Sequence, residues 1–406
     1  MKFWSKQLML AAAALAMVWL IGAGLTGKAA AQGQGKAAAP AKPQAAKPPA
    51  AAAAPAAAAA KPPTAGEYFK AVTTSTLKTL TVSDFLGAMG VMAAALGYDC
   101  ADCHPGAGSD SVNWVFDTQK KKTARKMVEM VATINRTNFG GGQFVTCWTC
   151  HHGRDLPSTT IALDTLYGPP NEEKRDIIET GNGQPTADQI LDKYIAAVGG
   201  AQRLAGLTSF IATGTSEGYG GLGGGGSFQI LAKAPDQRAT IVEFKDHPER
   251  GNNTRTFDGK TGWVRSPRGL FTEYELTGSD LNGARLDAVM SFPGQIKTAL
   301  RNWRVGNPDS IGNRDVQIVQ GSGPNGLLGT LYFDSRTGLL VRTVRYTASP
   351  VGRVPIQSDF DDYREVNGIR FPFKYQFSWL DGRDAFQIRE VRINVPIDAA
   401  RFGKPQ

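Results

Sequence analysis

The sequence predicts an α+β protein of two domains, a mainly α-helical module followed by an antiparallel β-rich, half-barrel-like domain with a few helices. Three observations predict it. All four cysteines lie between residues 100 and 150, each pair following an apolar stretch with helical spacing. From residue 227 onward the pattern changes to short alternating runs separated by Asp-Gly and Asn-Gly turns. Ahead of both lies a stretch built almost entirely of Ala, Pro, Lys, Gln and Gly, which cannot form a core.

The N-terminus comes first. Lys2 and Lys6 precede an apolar run from Leu8 to Leu25, and Ala29-Ala30-Ala31 follow it. That order is a signal peptide with its small-residue cleavage site. The run is also long enough to span a bilayer, so an uncleaved anchor is the alternative. Either way the expected location is the periplasm, soluble after cleavage or tethered to the inner membrane. The tether keeps an extended, polyproline-like geometry. Seven lysines and no acidic residue lie before Glu67, so they supply 7 of the formal excess of +9 and leave +2 for the rest. The basic balance belongs to leader and tether, and nucleic acid is not an expected partner. The expected divisions are 1–31 leader, 32–65 tether, 66–170 helical module, 171–185 linker and 186–406 β-rich domain.

In the helical module, residues 81–97 read as a helix with Ser83 as cap and Gly97 as stop. Phe85, Met89, Met92 and Leu96 share one of its faces. A second helix starts at a Thr123 cap and carries Met127, Met130, Val131 and Ile134 on its apolar face, before Gly140-Gly141-Gly142 lets the chain turn back. Each helix leads into the same pattern, Cys100-Ala-Asp-Cys103-His104 and Cys147-Trp-Thr-Cys150-His151.

That pattern is the attachment signature of c-type haem. Two thiols add across the two vinyl groups of one porphyrin, and the adjoining imidazole coordinates iron from one face. A zinc site or two disulfides would also use paired cysteines, but neither needs a histidine directly after both pairs. Two covalent haems are therefore expected, held by Cys100, Cys103 and His104 and by Cys147, Cys150 and His151. Each iron needs a second axial ligand, and thioether sulfur opposite imidazole raises the potential. The chain holds eight methionines and four histidines, two of the latter already used. Met89 lies eleven residues before Cys100, about three helical turns, so a reversal at residues 97–99 lays the haem along the helix with Met89 as ligand and Met92 against the porphyrin. Met127 and Met130 differ by less than a turn, and spacing does not choose between them.

At these residues the chain resembles the cytochrome subunit of bacterial photosynthetic reaction centres and its two-haem relatives. Phe85-Leu-Gly-Ala-Met89, Leu96-Gly97 and the first motif resemble that family's first ligand helix. Thr123-Ala-Arg-Lys-Met127-Val-Glu-Met130, Ile134-Asn135 and Val145-Thr146 before the second motif resemble its second. The resemblance, over residues 81–157, implies electron transfer and makes Met127 the ligand and Met130 a packing residue. The family's subunit carries four haems, whereas this chain has cysteines for two. Residues 138–146 also lack the histidine that the family's bis-histidine haem uses. Docking to a reaction centre is therefore not implied.

Of the remaining side chains, His152 adjoins His151 too closely to ligate the same iron and is placed in solvent or at a propionate. His247 sits in a polar turn and is expected to be solvated, and Arg154 is placed either on a propionate or in solvent.

The second domain opens with a Thr186-capped helix stopped by Gly199-Gly200. Strands are expected over 227–232, 239–244, 254–265 with a turn at Asp258-Gly259, 271–276, 316–320, 329–346, and 358–395 with turns at Asn367-Gly368 and Asp381-Gly382. A helix interrupted at Pro293 is expected over 280–303, and a loop over 220–226. This pattern loosely resembles the open half-barrel of periplasmic lipoprotein carriers. No catalytic constellation is present there: it has no cysteine, one histidine and no Gly-x-Ser-x-Gly.

The expected function is a dihaem electron carrier, not an enzyme, that passes single electrons between redox proteins and into membrane-associated complexes. A peroxidase-like dihaem enzyme is one alternative. A lipid- or quinone-binding β-domain with an attached redox module is the other.

Overall fold

The computed structural model describes residues 61–69, 71–107, 109, 111–160, 163–168, 176–218, 225–243, 251–266, 272–380 and 382–406. The leader, the tether up to residue 60, residues 220–224 of the expected loop, His247 and Asp381 of the expected turn lie outside the described residues. Residues 60–406 pack as one unit.

The helical part begins with one turn, α1 (Ala65–Tyr68), followed by α2 (Val82–Leu96). Thr81, not Ser83, caps α2: its side-chain oxygen accepts from the Asp84 backbone N–H. Ser83 lies inside the first turn, buried, and its hydroxyl donates to the Asp280 carboxylate. Phe85, Ala88, Val91 and Ala95 turn one stripe of α2 inward, and Phe85, Ala88 and Val91 join Leu77, Val128 and Val351 in a small core. The helix stops at Gly97 in the left-handed region, φ 67°.

The first cysteine pattern forms one turn, α3 (Cys100–Cys103), capped by Asp99. Next comes α4 (Gln119–Asn138), which starts before Thr123 because the Thr118 hydroxyl oxygen accepts from the Lys121 N–H. The intervening Gln and Lys residues are good helix formers without being apolar, so an apolar stripe misses them. Gly140 and Gly141, both at positive φ, reverse the chain into α5 (Cys147–His151), the second cysteine pattern, and α6 (Leu163–Tyr167) follows. The expected repeat of helix, reversal and Cys-x-x-Cys-His therefore stands. No helix among the described residues is long and apolar enough to cross a membrane.

The remainder is a 14-stranded antiparallel sheet with helices on it. The opening pair α7 (Ala187–Ala197) and α8 (Ala201–Ala205) begins with the expected Thr186 cap. The first run of strands is β1 (Ser209–Ser216), β2 (Ser227–Lys233), β3 (Gln237–Val242), β4 (Asn253–Phe257), β5 (Gly262–Arg265) and β6 (Glu273–Leu276). After α9 (Gly278–Met290) and α10 (Ile296–Ala299) come β7 (Arg301–Val305), β8 (Asp309–Ile311), β9 (Arg314–Ser322) and β10 (Leu328–Asp334). The last four are β11 (Leu340–Ser349), β12 (Gly352–Val366), β13 (Ile369–Trp379) and β14 (Gly382–Ile393). Sequential neighbours pair from β1 to β6 and from β9 to β14, β7 and β8 both pair with β9, and the two runs join where β1 meets β14, Phe210 opposite Ile393. β1 carries none of the expected strand marks. Trp303, expected on a helix, sits on β7 because the helix ends at Ala299.

The main core lies between the sheet and α7 to α10. Leu191, Tyr194, Phe292 and Ile296 meet Phe210, Phe228, Phe333 and Phe371 there. Burying one such side chain contributes about 1.5–3 kcal/mol. The helical part sits on the same sheet through α2, whose Gly87 and Gly90 face Val354 of β12 and Leu380. A methyl at Gly87 would fall 3.3 Å from Val354, so the helix can lie close only without side chains there.

Candidate functional site

A single cavity of about 2400 Å³ runs from the first cysteine pattern into the β-domain. At one end α2 contributes Phe85, Met89, Met92 and Leu96, the face expected from their spacing, while α3 contributes Cys100, Cys103 and His104. Trp114 stands beside His104, ring centroids 5.1 Å apart, and Lys121, Ala124 and Val128 of α4 close that end. Met89, Met92 and His104 all line its wall, so α2 and the first histidine meet at one cavity.

The His104 Nδ1 is buried without a hydrogen-bond partner. Burial, with the Lys121 charge adding to it, pushes this imidazole down to about 4, so the ring is neutral and keeps a lone pair at neutral pH. Burial also raises the Cys103 thiol. Lys121 itself is turned to the carbonyls of Trp114 and Phe116, 2.9 Å each. The turn is tied to α4 by Thr118, whose hydroxyl donates to the Cys103 carbonyl at 3.2 Å, and by an exposed Lys120–Asp102 pair at 2.9 Å.

The second pattern does not line this cavity, and neither does Met127. His151 is half-buried, and its Nδ1 lies 3.0 Å from the Arg154 carbonyl. A proton on Nδ1 then donates to that carbonyl and leaves Nε2 with the lone pair, the tautomer a metal-ligating imidazole uses. Arg154 thus acts through its backbone. The Gly153 N–H donates to the Ala95 carbonyl of α2 at 2.9 Å, and the Cys147 N–H to the Val351 carbonyl at 3.2 Å. Gly97 lies against the same Gly153, where a β-carbon would meet its carbonyl oxygen. Burial raises the Cys147 thiol. Met127 is half-buried, whereas Met130 is 43% exposed. His152 is exposed at φ 48°, with its ring tilted against Trp148 at a centroid distance of 5.7 Å.

One positioning residue had no role in the sequence reading. Asn135 is buried on α4, where its side chain donates to the Val145 carbonyl at 2.7 Å and accepts from the N–H groups of Phe144 and Val145 at 3.2 and 3.0 Å. It holds the strand of chain that delivers Cys147. Its signal was a polar residue in register with the buried Val128 and Val131 of the same helix.

The four cysteines form no disulfide. Among the described residues no three His, Cys, Asp or Glu side chains converge to hold a metal ion, so the two pairs are not halves of one tetrahedral site. The orphaned imidazole nitrogen of His104, the unlinked thiols and the apolar cavity before them suit a covalently attached porphyrin.

Part of the chain is similar to solved structures of low sequence identity. A LolA superfamily protein from Nitrosomonas europaea is 13% identical with a TM-score of 0.38, covering 54% of this chain and 99% of its own. A DUF1329 family protein from Desulfovibrio piger is 12% identical with a TM-score of 0.38, covering 54% and 98%. No curated protein matches the chain. Residues 20–191, which contain both Cys-x-x-Cys-His patterns and the two helices before them, match the family model of the photosynthetic reaction centre cytochrome C subunit.

Proposed function

We propose that this protein is a dihaem c-type cytochrome that passes single electrons between redox proteins outside the cytoplasm. In this reading the first haem is bound by Cys100 and Cys103 with His104 and Met89 as axial ligands. The second is bound by Cys147 and Cys150 with His151 and Met127. The observation that carries the reading is the convergence of Met89, His104 and both thiols of the first motif on one apolar cavity. When bound, the haem supplies a one-electron couple. The chain's own residues fix its surroundings: the Arg154 carbonyl sets the His151 tautomer, the neutral His104 ring needs no proton removed, and residues of α2 and α4 would line the first site. The expected divisions at 66–170 and 186–406 form part of the proposal, as does export by the leader.

The test is a haem count and a redox titration of the full chain. Two haems that resist extraction from the polypeptide, and two reversible one-electron steps, are the expected result. A chain purified without covalent haem overturns the reading.

The cavity favours a second role beside the first. A small-molecule site usually occupies about 300–1,000 Å³, and this one is about 2400 Å³. It has room for a porphyrin and for a lipophile in the β-domain, in addition to partner proteins.

A further inference from the structure

Lys120, Lys121 and Arg125 lie on the first two turns of α4, and they are held differently. Lys120 pairs with Asp102 at 2.9 Å and Arg125 with Asp117 at 2.6 Å, so each has a carboxylate on it. Lys121 instead donates to two carbonyls, those of Trp114 and Phe116, at 2.9 Å each. Carbonyl dipoles fix an ammonium in place and leave its unit charge standing. The Lys121 side chain is half-buried and lines the cavity together with Met89 and His104, and its charge is felt at the His104 ring. Two carboxylates line the same end, and both are already engaged. Asp117 holds Arg125, while Asp99 accepts the N–H groups of Ala101 and Asp102. Both are also exposed, where water and salt screen them.

We propose that Lys121 sets the potential of the first haem, its fixed positive charge disfavouring the oxidised form. The proposal rests on the dihaem reading above and deepens it. An oxidised haem carries one more positive charge than a reduced one, so a cation held beside it raises the reduction potential by repulsion. The second motif and Met127 lie off this cavity, and the second potential should therefore depend far less on Lys121. The two carbonyl bonds also fasten the loop that carries Trp114, whose ring centroid is 5.1 Å from that of His104. Charge and clamp are separable by substitution. Lys121→Arg keeps both, Lys121→Gln keeps a donor for the carbonyls without the charge, and Lys121→Met keeps neither.

The experiment is a potentiometric titration of the full haem-loaded chain, wild type beside these three variants. The first haem's step is the one missing from a Cys100→Ala, Cys103→Ala double variant, or the one kept in Cys147→Ala, Cys150→Ala. Lys121→Gln and Lys121→Met should each lower that step's equilibrium constant for reduction about 3- to 10-fold, roughly 30–60 mV at ~59 mV per tenfold for one electron. Lys121→Arg should hold the wild-type value, and the other step should move by less than about a third of the shift in any variant. A first step that does not move in Lys121→Gln overturns the proposal, even where Lys121→Met shifts it, because the clamp and not the charge is then at work. So does a Lys121→Arg that falls as far as Lys121→Gln, and so do equal shifts of both steps. A wild-type chain without two covalent haems fails the dihaem reading itself, before any variant is compared. Lys121→Gln and Lys121→Arg keep donors for the carbonyls, so a poorly folded Lys121→Met does not blunt the test.

Discussion

The first Cys-x-x-Cys-His turn stands in the wall of a deep cavity, with a half-buried histidine, and is tied to α4 through Thr118 and Lys120. The second is laced to backbone on three sides: to Ala95 of α2, to Val351 in the turn between β11 and β12, and through Asn135 to the residues just before it. One five-residue pattern therefore serves two mechanical settings. The pattern sets what can be attached, and the surroundings set how tightly the attached group is oriented and how much water it meets. At the first turn orientation falls to the cavity contents themselves, because the His104 Nδ1 has no partner in the protein. At the second, the polypeptide orients the imidazole before anything is bound.

The comparison can be broken most strongly at the methionines. Met89→Ala and Met127→Ala should each alter one haem and spare the other, lowering one potential by on the order of 0.1 V. Potentiometry with the methionine-to-iron absorption band checks this. A band that survives in Met89→Ala moves the ligand to Met92, and one that survives in Met127→Ala moves it to Met130. Asn135→Ala should cost roughly 1–3 kcal/mol in urea unfolding, since it strands the N–H and the carbonyl of Val145. Because only the second turn hangs on Asn135, its haem signal should broaden while the first stays sharp. Equal broadening of both would erase the difference between the turns.

The smallest expected effect concerns pH. Burial raises the Asp84 carboxyl above its ordinary 3.8, with Asp280 adding to it against hydrogen bonds from Thr81 and Ser279. A raised carboxyl stabilises the fold fully below its unfolded value, and that contribution is lost as pH rises through the folded one. Asp84→Asn should therefore gain on wild type as pH climbs from below 3.8 towards neutrality, read from unfolding curves across that range. A pH-independent difference would place the shift elsewhere.

Much of this was legible in the residues. The two motifs, the reversals at Gly97 and Gly140, the Thr186 cap and the hairpins at Asp258-Gly259 and Asn367-Gly368 rest on local chemistry, and the structure keeps them. β1 was not legible, because its inward positions are Phe210, Ala212 and Gly214 and its flanks are serine and threonine. Only its partners β2 and β14 make it a strand. The cap of α4 was hidden by a polar first turn, and the role of Asn135 by the absence of any local motif for a side chain that bonds to backbone ten residues on. The cavity was hidden most completely, since its walls come from residues as distant as Phe69 and Val391.

The pairing of β1 with β14 has a consequence for the order of events in biosynthesis. A chain that emerges N-terminus first presents both cysteine pairs well before the strand that carries Phe386, Ile388 and Val391. Those three residues form part of the cavity wall, and their strand can dock only when nearly the whole polypeptide has appeared. Long-range antiparallel pairing of this kind is also the slow step of folding. The cavity in front of Cys100 and Cys103 therefore lacks part of its wall until that last strand has docked.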